Sequence, residues 1–328
     1  MADLPVITVL GKSGGDHPPH LDKLEGRAEL RFTDAAGLGS AMAGSQALFL
    51  WDFFSPAVRE AWSRCDAVEW IHVAAAGVDT LLFPELSASD VVVTNARGIF
   101  DRPIAEYVLG VVLAHAKGTH RSADLQRAHV WQHRETRPLR GSRALIVGTG
   151  AIGRECARVL SSMGMQVRGA GRTARQGDPD FGEIVASEEL ATHVGDVDYL
   201  VVVAPLTART RGLVDARVLA ALPRGAHLVN VGRGESVVTA DLIDALSAGQ
   251  LDGASLDVVD PEPLPTDSPL WDLPGVRITP HMSGDAQGWL EALAQQFVDN
   301  AERWLDGRPL LNVVDTTVGY VPSAGPRP

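Results

Sequence analysis

Cysteine is scarce: Cys65 and Cys156 are the only two in 328 residues, and no CxxC spacing occurs. A disulfide framework and a cysteine-rich metal site are excluded, and two free, buried thiols in a reducing compartment are expected. Basic charge is in deficit, with 29 Lys+Arg against 41 Asp+Glu for a net −12. A chain of that sign repels polyphosphate at long range, so no nucleic-acid partner is expected. No apolar run approaches the roughly 18 residues of a membrane span, so no membrane association is expected. The N-terminal MADLPVITVLGKSGG lacks the basic segment of a signal peptide. These absences predict a cytoplasmic protein. His129 and His133 are four apart, but no acidic or cysteine partner stands at ligand spacing, so no metal is expected.

What is present is an ordinary globular composition, 45% apolar and 21% charged, over a length that gives a prior of about two domains. Short apolar runs bounded by Gly, Pro or Asp read as buried strands at 6–10, 29–32, 47–51, 70–74 and 91–94. Helical stretches separate them, among them 56–64 with Ser55 as N-cap. The pattern restarts at 144–147, 166–170, 199–204, 227–231, 253–256 and 276–279. Strands alternating with helices imply parallel sheets, so the fold class is α/β with two such blocks. Between them, 102–117 reads as a long helix apolar on one face at Ile104, Val108, Val111, Val112 and His115. A basic stretch from Lys117 to Arg143 follows and reads as a solvated arm with Trp131 its one aromatic. Near the C-terminus Leu290, Leu293, Phe297, Ala301 and Trp304 recur at three and four, a helix stripe that packs on a core. The last stretch, 318–328, is expected to fray.

Ala144–Val147 runs directly into Gly148-Thr-Gly150-Ala-Ile-Gly153, which opens a helix. A GxGxxG between a strand and a helix is the context a dinucleotide-binding turn requires. Gly148 permits the tight turn, Gly150 lets backbone approach a pyrophosphate, and Gly153 allows close helix–strand packing. The free N–H groups and dipole of the helix start then face the anion. Gly11-Lys-Ser13 also follows a strand, but position 6 is Val6, so it is not a P-loop. NAD sites place an acid at the end of the next strand to bind the ribose 2′-hydroxyl. Here that strand ends in Gly171-Arg172-Thr173-Ala174-Arg175, with no acid before Asp178. A guanidinium pairs with a 2′-phosphate that a carboxylate would repel. NADP(H) is therefore expected over NAD(H), with Arg172 and Thr173 as readers and Arg175 assisting. The alternative, Arg172 stacked on adenine with NAD(H) bound, stays open.

Three charged residues follow strands of the second block: Arg233 in VNVGRGE, Glu262 in LDVVDPEPL and His281 in ITPHMSG. Ligands of open α/β sheets bind at such carboxyl ends. With these motifs the chain resembles the D-2-hydroxyacid dehydrogenase family, glyoxylate/hydroxypyruvate reductase-like. The resemblance also takes in His129-Val-Trp131 and the Arg303-Trp304 to Asp315 ending. It implies two Rossmann-like or flavodoxin-like domains, 1–97 plus 287–328 for substrate and 98–286 for the dinucleotide, with the active site in the cleft. It implies a homodimer through the cofactor domain. It implies Arg233, Glu262 and His281 as the catalytic set, and Ala151, Ile152, Ala204, Pro205, Val231, Asp257, Ser283 and Gly284 beside the glycines at the cofactor, Asp257 holding the nicotinamide carboxamide. The acidic ribose position of the family is filled by Gly171.

The residues suit reduction of a small 2-oxo acid. His281 would deliver the proton; an isolated His of pKa near 6.5 is only about a quarter protonated at pH 7, and a Glu262 carboxylate beside it favours imidazolium. Arg233 offers a planar fork to the substrate carboxylate and carbonyl oxygen. Ala76 and Gly77, after the strand at 70–74, offer backbone N–H groups to the carboxylate. Two alternatives stand beside this reading. A formate-dehydrogenase-like enzyme would carry Gln where Glu262 stands, and a dinucleotide-sensing corepressor-type protein would bind cofactor without turnover.

Overall fold

The computed structural model describes residues 4–322. Residues 1–3, and 323–328 of the stretch expected to fray, lie outside the described residues. Within 318–322 the chain is tied down: Gly319 N–H donates to Asp315 C=O at 2.8 Å and Asp315 N–H to Tyr320 C=O at 3.1 Å. Two compact units form, one from residues 1–100 with 286–328, the other from 101–285.

The first unit holds a five-stranded sheet of β1 (Val6–Leu10), β2 (Glu29–Thr33), β3 (Ala47–Leu50), β4 (Trp70–Val73) and β5 (Val92–Asn95), in the order β2-β1-β3-β4-β5. Every pairing is parallel, and β1, β3 and β4 are buried along their whole length. That is why these segments read as continuous apolar runs rather than alternating ones. The helix Trp289–Leu305 returns the C-terminal segment to this unit with Leu293, Phe297 and Ala301 buried, Phe297 stacking on Phe49 with ring centroids 3.8 Å apart. Leu290, expected in the buried stripe, is exposed in the first turn. The segment 56–64 is α-helical only over Ala57–Ala61 and ends as a 3-10 turn, Trp62–Arg64.

The second unit holds an eight-stranded sheet: β6 (Arg143–Val147), β7 (Gln166–Gly171), β8 (Arg175–Asp178), β9 (Gly182–Ala186), β10 (Tyr199–Val202), β11 (Ala226–Asn230), β12 (Leu251–Leu256) and β13 (Val276–Ile278). The order is β13-β12-β11-β10-β6-β7-β9-β8, parallel except where β8 runs antiparallel to β9. The order in which the chain adds strands reverses between β6 and β10, the switch point at which open α/β sheets take ligands. The β8–β9 hairpin was not expected, because Arg175-Gln-Gly-Asp178 is polar and mostly exposed and carries no alternating apolar signal. The helix Asp101–Lys117 buries Ile104, Val108 and Val112, leaving Val111 and His115 half-buried. The basic stretch is not wholly an arm: Thr119–Arg127 forms a helix, and beyond it Trp131 is fully exposed. Cys156 is buried and Cys65 half-buried, and burial pushes their thiols up to about 12 and about 11. Among the described residues no helix is long and apolar enough to cross a membrane, and no three His, Cys, Asp or Glu side chains gather as a metal site.

Candidate active site

The turn after β6 is built from its glycines. Gly148 lies at φ 113°, a left-handed backbone that glycine adopts without strain. A Cβ on it would stand 2.8 Å from Ala204 N, so the turn lies directly against the loop that follows β10. A Cβ on Gly153 would fall 1.9 Å from Gly148 C=O, so the helix Ala151–Ser162 starts in contact with the turn. Gly150 differs: nothing lies within 4 Å of a Cβ built there, and no side chain caps the helix start. This is an open cradle of backbone N–H groups, and it fits a dinucleotide pyrophosphate. Ala151 and Ile152 form the first helical residues, half-buried, while Ala204 is buried and Pro205 exposed just beyond β10.

Three neighbouring strands deliver the charged residues. β11 ends at Asn230, whose buried side chain grips the following turn: its Oδ1 accepts from Gly232 N–H at 3.1 Å and its Nδ2 donates to Arg233 C=O at 3.0 Å. Gly234 follows because a Cβ there would lie 2.0 Å from Val259 C=O. β12 leads to Glu262, which Val259 N–H anchors at 3.1 Å through Oε1. β13 leads to His281, whose Nδ1–H donates to Glu262 Oε2 at 2.9 Å. Burial would raise the Glu262 carboxyl, but the hydrogen bond and charge of His281, the Val259 N–H and the Arg233 charge offset this, and its pKa lies below the usual value. Arg233, Glu262 and His281 thus share one electrostatic environment.

Asp257 has a place the sequence did not reveal. It is buried, and its carboxylate accepts from Met282 N–H at 2.9 Å, Ser283 N–H at 2.8 Å and the Thr279 hydroxyl, while its C=O accepts from His281 N–H at 2.8 Å. Both oxygens serve the loop that carries His281, so this anchoring stands where only a contact to the nicotinamide carboxamide was expected. Ser283 and Gly284 are buried in that loop, and Val231 is buried beside Asn230. Arg172 and Thr173 are exposed just past β7, and the Arg175 guanidinium binds Asp178 Oδ2 at 2.9 Å. Ala76 and Gly77 lie in the first unit beyond β4, where Asn95 Nδ2 donates to Ala76 C=O at 2.6 Å. An Asn or Asp at the end of an apolar strand was the available sign for Asn230 and Asp257.

Comparison with known proteins bears on this geometry. The family profile "D-isomer specific 2-hydroxyacid dehydrogenase, NAD binding domain" matches residues 109–283. An uncharacterised protein of Corynebacterium melassecola is 31% identical over 278 residues, 82% of this chain and 89% of that protein. Glyoxylate/hydroxypyruvate reductase A of Salmonella typhi is 36% identical over 176 residues, 53% of this chain and 55% of that protein, so the match spans about half of the curated reductase. The crystal structure of an NADPH-dependent glyoxylate/hydroxypyruvate reductase from Sinorhizobium meliloti, in complex with NADP and sulfate, superposes with a TM-score of 0.83 at 29% identity, covering 97% of this chain and 100% of that one.

Proposed function

Because the chain belongs to the D-isomer specific 2-hydroxyacid dehydrogenase family, an NAD(P)-dependent class of enzyme, we propose that it reduces small 2-oxo acids to D-2-hydroxy acids, preferring NADPH to NADH. The observation that carries the reading is the 2.9 Å hydrogen bond from His281 Nδ1–H to an ionised Glu262. It fixes the tautomer with hydrogen on Nδ1 and assigns Nε2 to the substrate. In reduction His281 delivers a proton from Nε2 to the developing alkoxide, and Glu262 compensates the positive ring. Arg233 holds the substrate carboxylate and steadies charge on the carbonyl oxygen. A dinucleotide held by its pyrophosphate at the glycine turn would supply the hydride from its reduced nicotinamide. Asp257 and Asn230 keep the His281 and Arg233 loops in place through buried hydrogen bonds.

NADPH preference is supported by the absence of an acid between Gly171 and Asp178, by Arg172 and Thr173 exposed at that strand end, and by the NADP held in the Sinorhizobium meliloti structure. Glu rather than Gln at 262 speaks against formate-dehydrogenase-like chemistry. Initial rates with glyoxylate, hydroxypyruvate, pyruvate and phenylpyruvate, each with NADPH and NADH, test the proposal. Oxidation of NADPH with at least one 2-oxo acid is expected. Cofactor binding without turnover across the panel would favour a dinucleotide sensor instead.

The cofactor domain also carries Trp131 fully exposed beside a half-exposed Val130. Aromatic residues are enriched at protein interfaces, and we assign Trp131 to contact with a second copy in a homodimer. Sedimentation analysis should give a dimer, with Trp131→Ser dissociating at lower dilution; a monomeric parent chain would refute the assignment.

A further inference from the structure

The pairing of Arg175 with Asp178 belongs to a larger arrangement beside the dinucleotide turn. Arg154 follows Gly153 directly in the helix that the turn opens, and its Nη1 and Nη2 meet the two oxygens of Asp178 at 2.8 and 2.9 Å. Asp180 N–H donates to the same carboxylate at 3.1 Å, and Arg154 Nη1 also reaches Asp180 at 2.7 Å. Arg158, one turn further along the helix, donates to Asp180 at 2.8 Å. The Asp178 side chain is only 3% exposed. A carboxylate that far from water is costly unless bonded in this way, and once bonded it fixes geometry. The Arg154 guanidinium also lies 5.5 Å from the centroid of the buried Phe181 ring.

Between the end of β7 at Gly171 and the start of β8 at Arg175 lies a short link, Arg172-Thr173-Ala174. One end is held by pairing of β7 with β6 and β9. The other is held by Arg175 on Asp178, and through Asp178 by Arg154 on the helix. The link itself is exposed. We propose that Arg154 and Asp178 form a clamp that positions this link over the dinucleotide turn and so sets how strongly a 2′-phosphorylated ribose is preferred. Both are positioning residues rather than contacts to the cofactor. The inference rests on the cofactor reading given above. Its physical basis is that a guanidinium recognises phosphate through a fixed fork, which loses its advantage when misplaced.

The same charges could instead act only through their field, and the sign of the effect separates the two. Asp178→Asn removes a negative charge and Arg154→Met a positive one, so a field effect moves phosphate affinity in opposite directions. Arg154→Lys keeps the charge and breaks the bidentate fork. Calorimetric titration of the full chain and the three variants with 2′,5′-ADP and with 5′-AMP reads the selectivity without catalysis. The clamp requires the ratio of 2′,5′-ADP to 5′-AMP affinity to fall in all three, by about tenfold for Asp178→Asn and Arg154→Met, the scale of one charge-assisted hydrogen bond. Opposite signs, an unchanged ratio, or equal loss of both ligands would each overturn it. Should Asp178→Asn not fold, the Arg154 pair decides: a fall with Lys supports the clamp, and a fall with Met alone rejects it. A parent chain that favours 5′-AMP would overturn the NADPH reading, while the direction shared by the variants still judges the clamp.

Discussion

His281 holds a backbone φ of 54°, a left-handed conformation that costs a non-glycine residue free energy and persists where the surroundings enforce it. Here they do so through the backbone, because Asp257 takes the N–H groups of His281, Met282 and Ser283. Removing the imidazole therefore leaves the loop held. For His281→Ala we expect kcat to fall by roughly 10²–10⁴-fold, the worth of a placed general acid, with the NADPH dissociation constant unchanged. Fluorescence titration beside steady-state rates checks both halves, and full activity would remove His281 from the mechanism. Arg233→Ala should raise KM for the 2-oxo acid by at least about tenfold, as loss of a charged hydrogen bond implies; an unchanged KM would count against its role. Arg233, Glu262 and His281 were legible because each stands in a loop just past an apolar strand, in motifs that are specific when taken together. The anchoring by Asp257 was not, because its carboxylate acts on backbone groups of the loop after β13, which only the pairing of β12 with β13 brings beside it. Asn230 acts within its own turn, through bonds that an apolar pattern does not mark.

At the scale of elements, the glycines of the dinucleotide turn do different work, and substitution should separate it. A methyl on Gly153 would lie 1.9 Å from Gly148 C=O, whereas one on Gly150 meets nothing within 4 Å. Gly153→Ala must push the helix off the turn, an overpacking cost of about 1–3 kcal/mol. We expect it to lower the melting temperature by several degrees and weaken NADPH. Gly150→Ala should keep the melting temperature and weaken NADPH alone, because its open face is where we propose the pyrophosphate meets the backbone. Equal melting temperatures for the two variants would show that the turn tolerates the methyl. The strand before this turn was readable as an unbroken apolar run, which is what a strand covered on both faces looks like. β8 was not readable, since its mostly exposed polar residues pair with β9 at a sheet edge and its one buried residue, Asp178, is held by Arg154 from the helix. A periodicity argument sees only what a segment buries.

On the scale of the whole molecule, two rounds of apolar runs announced two sheets, and the helix at 289–305 announced by its stripe that the chain end packs on a core. What the pattern hid is that each sheet encloses a neutral histidine. In the first unit, His72 Nδ1 accepts from the Thr94 hydroxyl at 2.8 Å, that hydroxyl being already an acceptor for Trp70 Nε1–H. Phe49, Trp70 and Phe297 rings surround it, and burial pushes its pKa down to about 3. In the second unit, His227 is driven well below its ordinary value by burial, with the His115, His120 and Arg277 charges adding to it. An unfolded histidine takes up a proton near pH 6.5, while these two in the folded chain do not. Their contribution is thus fully present above about pH 6.5 and is lost as pH falls from there toward the folded value, at about 1.4 kcal/mol per pH unit for each proton. Carboxylates held low by partners, such as Asp178, act in the same direction but only below the ordinary carboxylate range. Between about pH 6.5 and 5 the loss belongs chiefly to the histidines. Melting temperatures followed by circular dichroism should hold level above pH 7 and decline below 6.5. His72→Phe, which keeps a ring in the aromatic cluster and cannot take up the proton, should flatten the decline of the first unit. A slope unaltered by that substitution would mean that His72 is protonated in the folded chain.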